Sequence, residues 1–456
     1  MDNPSPSLIQ SKPEPADTGT PGLWPSLLRR VPGSAFFLQS GWMVFATTLS
    51  GLLFYAVHFF AGRRMHPDEY GVFTTLLQVL NQMAIPAVGL QTVFVQQAAL
   101  TETEQHRCEL AGAVRSVLKG AFLVWLGAAL VVWLFQSDLL ANYKIRNPAA
   151  LWYLVGLGLI SLWLPVMAGI LQGRQNFLWL GLVPIISAGT RLVLVAVIVW
   201  AFGGQAAGAM AGVLLSMTLA LSVGMWQTWP LWRGKPARFY WEPWLRRVIP
   251  LTLGMGTGTF MFTVDMLAVQ RFLPESGLYA AAAMIGRALV FLVAPLTWVM
   301  FPKIVRAAAR SERTDVLAQA LGATALLAAA AAVGCTLFPE LPLRIVQGPR
   351  YLAAAPLVRW FAWCIIPLMI STVLLNNLMA RERYAAVPWL VGVSVLYVWA
   401  LWQPWGHASH YRVIQTLGVF ALLYLGVCLY FSLVKKKPAA EPAPPAPQLV
   451  PPSPPV

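Results

Sequence analysis

Apolar residues in this chain gather into long runs, and polar residues are confined to short stretches between them. Twelve runs stand out, at about 36–61, 70–95, 117–136, 149–172, 177–202, 205–228, 248–272, 277–302, 316–338, 355–379, 385–405 and 411–434. Each is near the ~20 residues that an α-helix needs to cross a bilayer. The connections are short, and even the longest outer one, 339–354, has no room for a soluble catalytic domain. The pattern predicts an all-α polytopic membrane protein of about twelve transmembrane helices. Polar tails flank it at 1–33 and 435–456. The proline-rich second tail predicts a disordered tether of polyproline II character.

Composition agrees and narrows the class. The 456 residues are 58% hydrophobic and only 11% charged, against roughly 25% charged in a typical soluble domain. Too few charges remain to clothe several soluble domains, and the body is too apolar to be disordered. The net charge of +15 would point to nucleic acid in a soluble protein. Here Lys and Arg fall mainly in alternate loops, more than twice as many on the side of the two termini as on the other. That asymmetry marks the cytoplasmic side. The expectation is a multi-pass protein of the cytoplasmic (inner) membrane, both termini inside, with membrane lipids and no nucleic acid as partners. The four cysteines show no CxxC or Cys/His spacing, so neither structural disulfides nor a metal site nor any cofactor is predicted.

The chain repeats itself. Tyr70 and Pro86 near the second run recur, at one constant offset, as Tyr279 and Pro295 near the eighth. The segment LQGRQNF (171–177) matches LMARERY (378–384) at almost the same offset, and NYKIRNP and GPRY occupy matching places before the fourth and tenth runs. Two six-helix lobes are therefore expected, at 34–232 and 248–434, joined by a basic cytoplasmic linker at 233–247. Such duplication is common in transporters whose substrate site lies between the halves.

Three segments also resemble a known family. HPDEYGVFTTLLQVLNQMAIPAVGL (66–90) is similar to the helix 1–2 signature of polysaccharide flippases, those of O-antigen and related units. The segment from Asp265 to Val305, with its Asp, basic loop, Gly-x-Tyr start and closing Phe-Pro, resembles their helix 7–8 region, and ILQGRQNF resembles the end of their helix 4. The resemblance covers roughly 36–434. It implies the multidrug/oligosaccharidyl-lipid/polysaccharide exporter superfamily: a V-shaped, MATE-like pair of six-helix bundles around a cavity that opens alternately to each side. It also implies movement of undecaprenyl-pyrophosphate-linked sugars between leaflets, coupled in many members to H+ or Na+. The chain lacks the fourteen-helix count and the DAF-type motif of the lipid II subgroup, so a polysaccharide repeat unit is the better match than a peptidoglycan precursor.

Charges deep in apolar runs cost at least ~2.5–3.5 kcal/mol on insertion scales and usually face a cavity or a partner. Three fall in one outer-half slab: Arg191, Arg287 and Asp265. An arginine can clamp phosphate oxygens bidentately, so Arg191 and Arg287 are expected at a pyrophosphate. The alternative is that one of them neutralises Asp265. Asp265 is the candidate for ion coupling, with a permanent salt bridge as the other reading. His58, its counterpart in the repeat, is a second candidate, with a structural interfacial role opposed to it. Asn81, Gln82, Asn376 and Asn377 are candidate sugar-binding amides or, equally, helix-to-helix glue. Gly254, Gly256 and Gly258 form a candidate hinge in the seventh helix or, as small residues, a close-packing face.

Together these give a non-enzymatic carrier that flips a polyprenyl-pyrophosphate-linked oligosaccharide by alternating access, working beside polysaccharide-assembly proteins. A MATE-type drug/cation antiporter is the first alternative, and a non-transporting membrane component or enzyme of polysaccharide assembly the second.

Overall fold

The computed structural model describes residues 34–99, 101, 103–290, 315–380 and 383–433. Both tails, Pro295 and the basic loop 303–313 lie outside the described residues. The described residues form sixteen α-helices and two short 3-10 turns, with no strand. The first half holds α1 (Ser34–Arg64), α2 (Pro67–Met83), α3 (Pro86–Ala99), α4 (Glu104–Leu134), α5 (Gln136–Asn142), α6 (Pro148–Gly173), α7 (Phe177–Ala201) and α8 (Ala206–Trp232). The second holds α9 (Trp241–Phe272), α10 (Ser276–Val290), α11 (Asp315–Leu337), α12 (Glu340–Val346), α13 (Ala355–Cys364), α14 (Ile366–Ala380), α15 (Val387–Trp402) and α16 (His410–Leu433).

Local sequence sets the helix ends. Thr103 caps α4 by accepting from the His106 N–H, and Asn147 caps α6 by accepting from the Ala149 N–H, with Pro148 next in the chain. Proline at a first turn forfeits no hydrogen bond, because its N–H would have no partner there. The same residue inside a run interrupts it. Pro86 cannot donate, and the chain turns at Ala84 and Ile85, whose N–H groups close onto Leu80 and Gln82. The run expected at 70–95 is therefore two helices, α2 and α3.

Among the described residues, nine helices are long and apolar enough to cross a membrane. There are ten if Leu321–Leu337 and Glu340–Val346, bent by 87°, count as one span. The twelve expected runs differ from this count at the broken 70–95 run, at 277–302, of which only Ser276–Val290 is described, and at the bent pair. Large apolar side chains such as Leu123, Val124 and Leu134 stand exposed on α4, as a lipid-facing surface requires.

The helices pack in two groups. In the first half α7 lies against α1 and α8, and α6 against α3 and α8. In the second, α16 packs on α13, α14 and α15. The 32-residue α9 belongs to both: it touches α14, α15 and α16 of its own half and α2 and α3 of the other. This crossing places the helix that carries Asp265 at the seam.

Candidate functional site

Between the halves lies a cavity of about 650 Å³, walled by α1, α2, α6 and α7 of the first half and α9 and α10 of the second. Its polar lining includes Tyr55, His58, Gln78, Asn81, Thr259 and Thr263, and its two cations are Arg191 and Arg287. No acidic side chain lines it among the described residues.

The two arginines differ in what holds them. Arg287, on α10, donates from Nε to the Phe262 carbonyl at 2.7 Å and from Nη2 to Asp265 Oδ1 at 2.6 Å. Asp265, wholly buried, also accepts from the Tyr279 hydroxyl at 2.5 Å. Each oxygen of that carboxylate thus accepts one bond, and the residue does not line the cavity. Arg191, on α7, has no acidic partner among the described residues. Its guanidinium lies 4.6 Å from the centre of the Phe54 ring, and its buried Nε has no hydrogen-bond partner. A cation over an aromatic face is partly compensated, but its donors remain available to an anion entering the cavity.

The two halves carry a similar pair of hydrogen bonds. In the second half Asp265 is bonded to Tyr279. In the first, His58 Nδ1 lies 3.1 Å from the Tyr70 hydroxyl, so equivalent positions carry a titratable group held by a buried tyrosine. Tyr70 also accepts from Gln347 Nε2 at 3.3 Å, a bond between the halves. In the sequence Tyr70 and Tyr279 stand out only as repeat anchors, and Gln347 does not stand out, because its loop carries no local signal for a contact across the seam.

Of the other expected site residues, Asn81 lines the cavity and donates to Gln78 Oε1 at 3.2 Å. Gln82 faces elsewhere and donates to Thr263 Oγ1 across the seam at 3.3 Å. Asn376 and Asn377, on α14, are not brought to the cavity, and Asn377 is buried. α9 runs helical through Gly254, Gly256 and Gly258. A Cβ at these positions would meet Met379, Ile85 and Leu375 respectively, so each glycine seats a neighbouring side chain.

One end of the seam is closed. Gly71 of α2 abuts Ser276 and Gly277 at the start of α10, and a Cβ on Gly277 would overlap the Pro67 carbonyl oxygen. Around this contact Lys144 Nζ donates to the Leu273 carbonyl at 2.7 Å, Gln270 to the Tyr143 carbonyl at 2.9 Å, and Arg63 to the Ile345 carbonyl at 2.8 Å. Each bond joins one half to the other, and Lys144 places a cation at the C-terminal end of α9, where the helix dipole favours it.

No protein-family model matches the sequence, and no curated protein matches it. Solved structures do. An inward-facing multidrug resistance MATE family transporter of the MOP superfamily shares 13% identity over 84% of this chain and 94% of that one, with a TM-score of 0.67. The lipid II flippase MurJ, in an inward closed conformation, shares 15% over 85% and 86%, with a TM-score of 0.69. An outward-facing MATE family transporter gives 14% over 89% and 96%, with a TM-score of 0.57. The chain thus has the all-helical membrane fold of MOP-superfamily transporters.

Proposed function

We propose that this protein is a flippase that carries a polyprenyl-pyrophosphate-linked oligosaccharide across the membrane by alternating access. The fold is common to a multidrug transporter and a lipid II flippase, so it does not choose between a cationic drug and an anionic lipid. The cavity supports the second. Its cations are two arginines, its neutral polar groups suit sugar hydroxyls, and the one deep carboxylate is withdrawn from it and bonded to Arg287. The observation that carries the reading is Arg191, a half-buried arginine that lines the cavity without an acidic partner among the described residues. In this reading Arg191 holds a phosphate, Arg287 adds its remaining donors, and Gln78 and Asn81 meet the sugar. The tail stays in lipid, and the halves rock about the α9 seam. Asp265 and His58 are the groups through which H+ or Na+ would act. With both termini inside, the closed end faces outward.

The test is leaflet reorientation of a polyprenyl-pyrophosphate sugar in liposomes. Arg191→Ala is expected to lower the rate at least about tenfold, the scale of a lost charge-assisted hydrogen bond. An unchanged rate would remove the phosphate role.

A further inference from the structure

The loop that joins the halves is fastened down. Arg115 of α4 donates to the carbonyls of Arg233 at 2.7 Å and Gly234 at 2.9 Å. The Ala237 N–H donates to the Cys108 carbonyl at 2.8 Å. Two glycines of α4 permit this approach: a Cβ on Gly112 would overlap the Ala237 carbonyl oxygen, and one on Gly120 would lie 2.6 Å from the Trp241 ring. At the other end Phe239, Trp241 and Trp244 form an edge-to-face cluster with centroids 5.0–5.9 Å apart.

With its backbone held, the loop presents its charges outward. Lys119, Arg233, Lys235 and Arg238 are all exposed, and none has an acidic partner among the described residues. The nearby Glu242 is engaged by Arg246 at 2.7 Å. Arg238 lies 5.6 Å from the centre of the exposed Tyr240 ring, and Trp229, near the end of α8, and Trp241, at the start of α9, are exposed as well. Tryptophan and tyrosine at helix ends sit at headgroup depth, and basic residues at that depth attract anionic lipid. A floating basic loop would lose part of that attraction in becoming ordered, whereas a fastened one does not.

We propose that residues 233–241, with Lys119, form a binding site for the headgroup of an anionic bilayer phospholipid. The site is separate from the cavity and rests on the joint between α8 and α9. It stands whether or not the cavity carries a lipid-linked sugar.

The full chain would be reconstituted in nanodiscs of phosphatidylethanolamine and phosphatidylglycerol, and the lipids retained after extraction counted by native mass spectrometry. Preferential retention of phosphatidylglycerol is expected. Arg233→Gln/Lys235→Gln/Arg238→Gln should lower it at least about tenfold, and Lys235→Gln alone, on an exposed side chain that leaves the fold intact, about fivefold. Arg344→Gln/Arg350→Gln, at the opposite end, should leave it unchanged. Wild-type retention in both linker variants overturns the proposal. So does loss on Arg191→Gln, which would place the retained phosphate in the cavity.

Discussion

Arg191 and Arg287 look alike as residues, each an arginine midway along an apolar run. Their surroundings separate them. Arg287, Asp265 and Tyr279 form a closed set of charge-assisted bonds, and breaking a buried pair from one side leaves a charge uncompensated. Asp265→Asn is therefore expected to cost about 3–5 kcal/mol, read as a lower thermal unfolding midpoint in detergent. Adding Arg287→Gln should recover part of that loss, and strictly additive losses would deny the coupling. Arg191 has no such partner, so its replacement should affect ligand more than stability. Arg191→Lys keeps the charge but not the planar fork. Its affinity for inorganic pyrophosphate should fall between wild type and Arg191→Gln, as measured by calorimetry. If lysine binds as well as arginine, a point charge suffices and the bidentate clamp is wrong.

At the scale of elements, the closed end depends on how near α2 and α10 can come. Gly277 is the tightest point, with the Pro67 carbonyl where a side chain would start. Gly277→Val must push the two helix starts apart. Spin labels on cysteines replacing the exposed Asp68 and Glu275 should report a longer distance in that variant, and an unchanged distance would show that the glycine does not hold the seam. The Tyr70 hydroxyl ties α1 and α2 to the loop bearing Gln347. Tyr70→Phe keeps the ring and removes this link, while the buried Gln347 amide keeps the Ala281 carbonyl and the Met284 sulfur as acceptors. A loss of about 0.5–1.5 kcal/mol is expected in the same unfolding assay, and no loss would mean that the bond contributes nothing. The glycines of α9 teach the same point: in an unbroken helix they are seats for Met379, Ile85 and Leu375. Helices in lipid gain little from burying apolar area and associate by close packing of small residues.

For the whole molecule, the class was plain from the chain alone. Long apolar runs have few solutions in a bilayer, because every backbone polar group must be satisfied within the helix. The all-helical fold and the deep positions of Arg191, Arg287 and Asp265 follow from run length and charge. Sequence could not show which faces of the helices meet. Asn81 and Gln82 are neighbours in sequence, yet one lines the cavity and the other bonds across the seam, because adjacent residues on a helix point about 100° apart. Asn376 and Asn377, equally polar on paper, are carried away from the cavity by α14. The pairing of Asp265 with Arg287, the freedom of Arg191 and the closed end at Gly71 and Gly277 are contacts between residues distant in the chain. They are set by how the two halves pack, which side-chain pattern along a single run does not encode.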